Sequence, residues 1–181
     1  GKSTLIDVLR HELDRNLVVL APTGVAALNV GGQTIHSFFQ LPPGPQPIGR
    51  KLQGVSREVV AKMDILIIDE VSMVRADLLD AIDESLRTNT GKTGVPFGGK
   101  TILLIGDMHQ LPPVISGGEE ARLFEEVYES PYFFSAYCLQ GLPLVTRTLT
   151  QSFRQADEEF VAILNDLRVG TNLESTVKEL N

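Results

Sequence analysis

Residues 63–70 read MDILIIDE, in which four consecutive aliphatic residues, Ile65 to Ile68, run straight into two acids. A strand wetted on one face alternates apolar with polar side chains, so a run without alternation belongs in a sheet covered on both faces. NLVVLA (16–21) and KTILLIGD (100–107) have the same character, and the second also ends in an acid. LPLVTRTLTQSFRQ (142–155) reads as a fourth strand running into a polar turn. Helical spacing fills the intervals. Leu5, Leu9 and Leu13 form one stripe, widened by Ile6 and Val8, and PTGVAALNVGGQTIHSFF holds two small helical patches separated by Gly31 and Gly32. Leu78, Leu79, Ile82 and Leu86 mark a helix over 74–88, and Phe160, Ile163, Leu164 and Leu167 mark a last one over 157–168. Unalternated strands separated by helices predict an α/β fold with a mostly parallel sheet and helices on both faces. The Pro- and Gly-rich residues 41–54 can hold neither a central strand nor a helix interior, and are expected as a surface loop or small inserted element.

The 181 residues, 43% of them apolar, suffice for one good core. No apolar run approaches the ~18 residues of a membrane helix, and no basic-then-apolar leader opens the chain, so a soluble intracellular protein is expected. One cysteine, Cys138, and three scattered histidines make no zinc constellation. The net charge of −7 argues against a module that coats DNA electrostatically. It does not exclude a motor, which grips few phosphates at a time with backbone N–H groups and hydroxyls.

The chain opens on GKST followed by an amphipathic stretch, like the second half of a phosphate-binding loop. The complete phosphate-loop pattern occurs elsewhere, in GVPFGGKT from Gly94 to Thr101. Chemistry argues against that copy. A phosphate loop must leave a strand and open a helix, whose free N–H groups and dipole face the phosphates. Here Gly-Lys-Thr runs into ILLIGD, which is strand. GKST lacks the leading glycine but does precede a helix.

Adjacent acids at a strand tip point to opposite faces, so Asp69 suits a magnesium ion and Glu70 suits the attacking water. Past the next strand, GDMHQLPPV holds Gln110 in a loop stiffened by Leu111, Pro112 and Pro113, a position suited to reading a γ-phosphate. Arg154, in QSFRQ, offers the planar, permanent charge that a transferring phosphoryl group calls for. Each has an ordinary reading when taken singly: a solvated strand end, a loop amide, a surface ion pair. Their joint occurrence in this order, with GKST ahead of them, is what points to a nucleotide site.

GKST, APTGVAALNVGGQTIHSFF, LIIDEVSM, GDMHQLPPV and LTQSFRQ, in this order, resemble motifs I, Ia, II, III and IV of the petite-integration-frequency (PIF-type) DNA helicases, RecD-like members of superfamily one. Residues 77–114, with PFGGK before the strand, look like that family's signature between motifs II and III. The resemblance implies the first RecA-like P-loop NTPase domain of an ATP-dependent motor moving 5′ to 3′ on single-stranded DNA. On it, residues 1–181 would be a single RecA-like domain lacking its first strand, with 41–58 a possible small inserted element. Gly1, Lys2, Ser3 and Thr4 would belong to the ATP site, with Lys2 on the β- and γ-phosphates and Ser3 and Asp69 on Mg²⁺. Glu70 would orient water, Gln110 would read the γ-phosphate, and Arg154 would be an arginine finger. Thr23, Gly24, Asn29, Thr34, His36 and Phe38 would lie on the DNA face. His36 alone reads as a packed or capping residue, and of Phe38 and Phe39 at least one is expected in the core. The implied partners are single-stranded and forked or structured DNA and a second RecA-like domain, with no membrane. The implied place of work is the nucleoid, or the nucleus or mitochondrion. The competing reading is a non-catalytic DNA-binding module that keeps the fold without ATP turnover.

Overall fold

Three aliphatic runs become adjacent parallel strands: β1 (Leu17–Ala21), β3 (Ile65–Ile68) and β4 (Thr101–Leu104). A two-residue β2 (Gln33–Thr34) completes a four-stranded sheet in the order β2-β1-β3-β4, every pair parallel. The computed structural model describes residues 1–46 and 55–149, together with Ile163, Asp166 and Gly170. Among them the helices are α1 (Lys2–Glu12), α2 (Gly24–Asn29), α3 (Ile35–Phe39), α4 (Arg57–Lys62), α5 (Ala76–Thr90) and α6 (Glu119–Val127). Lys2–Leu144 form one compact unit, and Gly1 with Val145–Asn181 group as another.

The pleat of the strands divides the interior. Leu20, Leu66 and Ile68, with Val18, Ile102 and Leu104, point into a large core shared with α3, α4 and α5, where Ile35, Phe39, Val60, Leu79, Ile82 and Leu86 are fully buried. Their neighbours Val19, Ile67 and Ile105 point the other way, onto a smaller core with Ile6 and Leu9 of α1. Helices therefore cover both faces, as expected. The expected Leu5, Leu9, Leu13 stripe of α1 is rotated: Ile6 is its buried residue, while Leu5, Val8 and Leu13 stay 36%, 49% and 38% exposed. The cause is that α1 meets the sheet along Ile6 and Leu9, one turn apart on the helix.

Two expectations about the second half change. Residues 142–149 form no strand, and among the described residues β4 pairs only with β3. The apolar side chains of this stretch cannot act as a strand without a ladder partner, and Leu144, Val145 and Leu149 remain mostly exposed. Residues 150–155 of that expected strand lie outside the described residues, as does the helix expected over 157–168 except for Ile163 and Asp166, both helical. The expected inserted element over 41–58 falls partly outside them too; its described end, from Arg57, opens α4.

The phosphate-loop pattern at 94–101 does not open a helix. Phe97, Gly98 and Gly99 turn left-handed in succession, and the chain enters β4 directly. Gly98 cannot carry a side chain there, because a Cβ would strike the Thr90 hydroxyl and the Leu86 carbonyl. Lys100, the lysine of the pattern, donates instead to the carbonyls of Met63 and Ala61 at 2.6 and 3.2 Å, which closes the C-terminal end of α4.

Candidate functional site

The carboxyl ends of β1, β3 and β4 and the start of α1 carry most of the residues singled out from the sequence. At the end of β3, the Asp69 N–H donates to the Leu20 carbonyl of β1 at 2.9 Å, so Asp69 still follows the sheet. Glu70 then turns left-handed (φ 50°, ψ 43°) and the chain enters a single 3-10 turn, Val71–Met73. The Val71 N–H returns to the Ile105 carbonyl at 2.9 Å, and the Ile105 N–H donates to the Ile68 carbonyl at 2.8 Å, which ties the tips of β3 and β4 together. Gly106 makes this approach possible. A Cβ there would lie 2.9 Å from Val71 Cγ1 and 3.1 and 3.2 Å from the amide nitrogens of Val71 and Ser72.

The two acids have different surroundings. Asp69 is 5% exposed, and its Oδ1 is buried without a hydrogen-bond partner among the described residues. Burial lifts its carboxyl above the ordinary range and the Glu70 charge adds to this, against the opposing Glu70 backbone hydrogen bond and Lys2 charge. Glu70 is more open and takes Lys2 as partner, with Nζ 3.3 Å from Oε1. Lys2 is the first residue of α1, so the helix start is brought to the tip of β3 across 68 positions of chain. Gly1, Ser3 and Thr4 are exposed.

A buried carboxylate oxygen without a donor fits a hard cation. Magnesium is commonly held by one or two carboxylates, with phosphate and water completing its octahedron, so Asp69 suffices as an anchor. Among the described residues no group of three or more His, Cys, Asp or Glu side chains converges as a metal cage.

Beyond β4, Asp107 organises the turn that carries Gln110. Its Oδ1 accepts from the His109 N–H at 3.1 Å, its carbonyl accepts from the Gln110 N–H at 3.0 Å, and its Oδ2 accepts from Gln110 Nε2 at 3.1 Å. In the sequence Gln110 stands out and Asp107 looks like a plain strand end, although an aspartate accepting from the second residue after it is a recognisable turn signal. Arg154 lies outside the described residues.

The residues expected to face DNA gather beyond β1 and β2. Thr23 caps α2 by accepting from the Ala26 N–H at 3.2 Å, and Thr34 caps α3 by accepting from the Ser37 N–H at 3.2 Å. Each hydroxyl keeps its own proton to donate. Gly24 and Asn29 are exposed on α2, beside Val25 and Leu28 at 72% and 81% exposure. Phe39 is fully buried, and Phe38 packs against it edge-on at 4.9 Å, so one ring of the pair is core as expected and the other is partly open. His36 is partly buried. That burial, and then the Arg75 charge, lower its affinity for a proton against the opposing pull of Asp77.

Arg75 is a residue the sequence reading missed. Its guanidinium donates to Asp77 Oδ1 and Oδ2 at 2.9 and 3.0 Å, to the Gly44 carbonyl at 2.7 Å and to Glu120. Asp77 also accepts from the Gln46 N–H at 2.7 Å, and Glu120 from the Ser116 N–H at 2.5 Å. One cation thus joins the loop before residue 47, the start of α5 and the start of α6.

A parallel sheet with acids at its carboxyl edge and a lysine at the head of the flanking helix defines a RecA-like α/β fold of the P-loop class. Residues 1–178 match the PIF1-like helicase family, and the chain belongs to it. It is 36% identical to the ATP-dependent DNA helicase PIF1 of Emericella nidulans over 94% of its own length and 23% of that protein. A crystal structure of Bacteroides Pif1 bound to ssDNA superposes with a TM-score of 0.93 at 37% identity, over all of this chain and 43% of that one. A second, of Pif1 helicase from Bacteroides in complex with ADP-AlF3 and ssDNA, gives 0.91 at 37% identity, over 98% and 42%. The chain thus spans about a quarter of the length of the curated relatives it matches.

Proposed function

We propose that this chain is the nucleotide-binding motor domain of an ATP-dependent DNA helicase, working 5′ to 3′ on single-stranded DNA with a second RecA-like domain. The observation that carries the reading is the pairing of Lys2 with Glu70 next to the buried Asp69 oxygen that has no donor among the described residues. A cation and two acids of unlike burial, gathered at a sheet's carboxyl edge, are what ATP hydrolysis requires. Residues 1–181 act as one motor domain on this reading, with 41–58 as its small inserted element.

Asp69, joined by Ser3, would hold magnesium, which when bound neutralises phosphate charge. Lys2 pairs with the β- and γ-phosphates, and Gly1 and Thr4 complete the binding turn at the head of α1. Glu70, once Lys2 has turned to phosphate, is a carboxylate with a free oxygen that orients the attacking water. Gln110 reads the γ-phosphate, and Arg154 meets the developing phosphoryl charge. Thr23, Gly24, Asn29, Thr34, His36 and Phe38 contact single-stranded DNA: hydroxyls and the imidazole address backbone, and the open ring of Phe38 offers a stacking surface. Forked and structured duplexes are then the substrates that such movement opens.

The test is phosphate release by the intact protein with and without single-stranded DNA. A clear rise on adding DNA is expected. Turnover indifferent to DNA contradicts the helicase reading.

A further inference from the structure

Two donors of the site are held by the site's own acids. Lys2 Nζ lies 3.3 Å from Glu70 Oε1, and Gln110 Nε2 donates to Asp107 Oδ2 at 3.1 Å. Asp107 is itself fixed by the turn, through the His109 N–H on Oδ1 at 3.1 Å and the Gln110 N–H on its carbonyl at 3.0 Å. Chemistry dictates which way the Gln110 amide faces. Only its NH₂ end can meet a carboxylate, because the amide oxygen has no proton to give. Nε2 carries two N–H groups, and with one of them spent on Asp107 the amide offers a single N–H beside the acceptor Oε1. A γ-phosphate presents acceptor oxygens and can use both donors, so an amide shared with a carboxylate is an incomplete reader of that group.

We propose that Asp107 is a positioning residue that holds one of the two Gln110 amide donors, and with it the side chain, until a triphosphate competes for Nε2. A nucleoside diphosphate has no γ-group to compete and leaves Gln110 on Asp107. A triphosphate draws Nε2 away, and the exposed side chain of Gln110 is free to swing. Lys2 stands in the parallel position on Glu70, so the same triphosphate would break both internal pairs. Discrimination between tri- and diphosphate is then set by Asp107 as well as by Gln110. The inference rests on the reading of Gln110 as the γ-phosphate sensor.

The test is equilibrium binding of ADP and of a non-hydrolysable ATP analogue to the intact protein, compared as a ratio of affinities. Asp107→Asn keeps an oxygen for the His109 N–H but turns an NH₂ toward Gln110, whose amide then reverses and frees Nε2. The ratio is expected to shift toward the triphosphate by roughly three- to tenfold, the effect of one exposed hydrogen bond to a charged group. Asp107→Ser, whose hydroxyl can replace the turn oxygen but cannot reach Gln110, should shift it the same way, and serves if the first variant fails to fold. Gln110→Ala should shift the ratio toward ADP and make both changes at Asp107 silent. A purely structural role would weaken both nucleotides together and leave the ratio alone. If Gln110→Ala shifts the ratio while the Asp107 variants leave it unchanged or lower it, the inference is overturned and the sensor reading stands. If Gln110→Ala leaves the ratio unchanged, the sensor reading fails and takes the inference with it.

Discussion

Glu70 and Gly106 show how single residues set the geometry at the sheet edge. The left-handed Glu70 ends the strand abruptly, and Gly106 lets the following turn press against the tip of β4 with no room for a methyl group. Because two of the three atoms that a Cβ would meet are backbone, the neighbourhood cannot yield cheaply. Gly106→Ala should destabilise the fold by about 1–3 kcal/mol, visible as a lower midpoint in urea; an unchanged midpoint would show that the turn relaxes freely. The acids themselves were legible because they abut unbroken aliphatic runs. The Lys2–Glu70 contact was not, since it joins positions 68 apart that sequence logic assigned to separate tasks. Asp107 looked like one more strand-end acid, and only the fold reveals its two oxygens divided between a turn and the Gln110 amide.

Helix α5 carries a different kind of information. Its apolar face was plain from the spacing of Leu78, Leu79, Ile82 and Leu86, yet its acids are mostly spent on clamping loops. Asp77 meets Arg75 and Gln46, Asp80 accepts from the Tyr128 hydroxyl and the N–H groups of Tyr137 and Cys138, and Asp83 accepts from Arg87 and the Phe97 N–H. Short elements were hidden for a related reason. β2 exists only because Gln33 and Thr34 pair with β1, and no periodicity can appear in two residues. Arg75→Ala leaves the buried carboxylates of Asp77 and Glu120 without their shared cation, and should cost about 3–5 kcal/mol in unfolding free energy. Arg75→Lys should recover only part of that, because an ammonium cannot serve the two Asp77 oxygens as a planar fork does; full recovery would remove the fork from the account.

The same cluster fixes two acid-linked losses of stability. Burial raises the proton affinity of Glu120, but the Ser116 hydrogen bonds and the Arg75 charge outweigh it and leave the carboxyl below its ordinary 4.5. A group depressed in the fold stabilises above its unfolded value, and that contribution fades as pH falls from about 4.5 through the folded value. His36 is also depressed, from 6.5, but as a base: the fold prefers it neutral, so stability falls as pH drops below 6.5 and it is forced to charge. Unfolding free energy should therefore decline in two stages on acidification, and His36→Gln should flatten the upper stage alone. An unaltered upper stage in that variant would place its origin elsewhere.

Across the described sheet, the strand order separates two groups of residues along one edge. β3 and β4 carry Asp69, Glu70 and the Gln110 turn, with Lys2 brought to the same tip, while β1 and β2 lead into the capped helices bearing Thr23, Thr34 and His36. β1 is paired with β3 over four residue pairs, Leu17↔Ile65 to Leu20↔Ile68, so one continuous ladder joins the two sets. This parallel order was legible in outline from the unalternated strands, whereas the expected strand over 142–149 was not borne out, because apolar content without a pairing edge makes no ladder. The most direct test of the nucleotide site is a single variant, Glu70→Gln, in the intact protein with single-stranded DNA present. Loss of a positioned base should lower ATP turnover by about 10²-fold or more while a non-hydrolysable ATP analogue still binds; turnover equal to that of the unmodified protein would contradict the assignment of Glu70 and the site built around it.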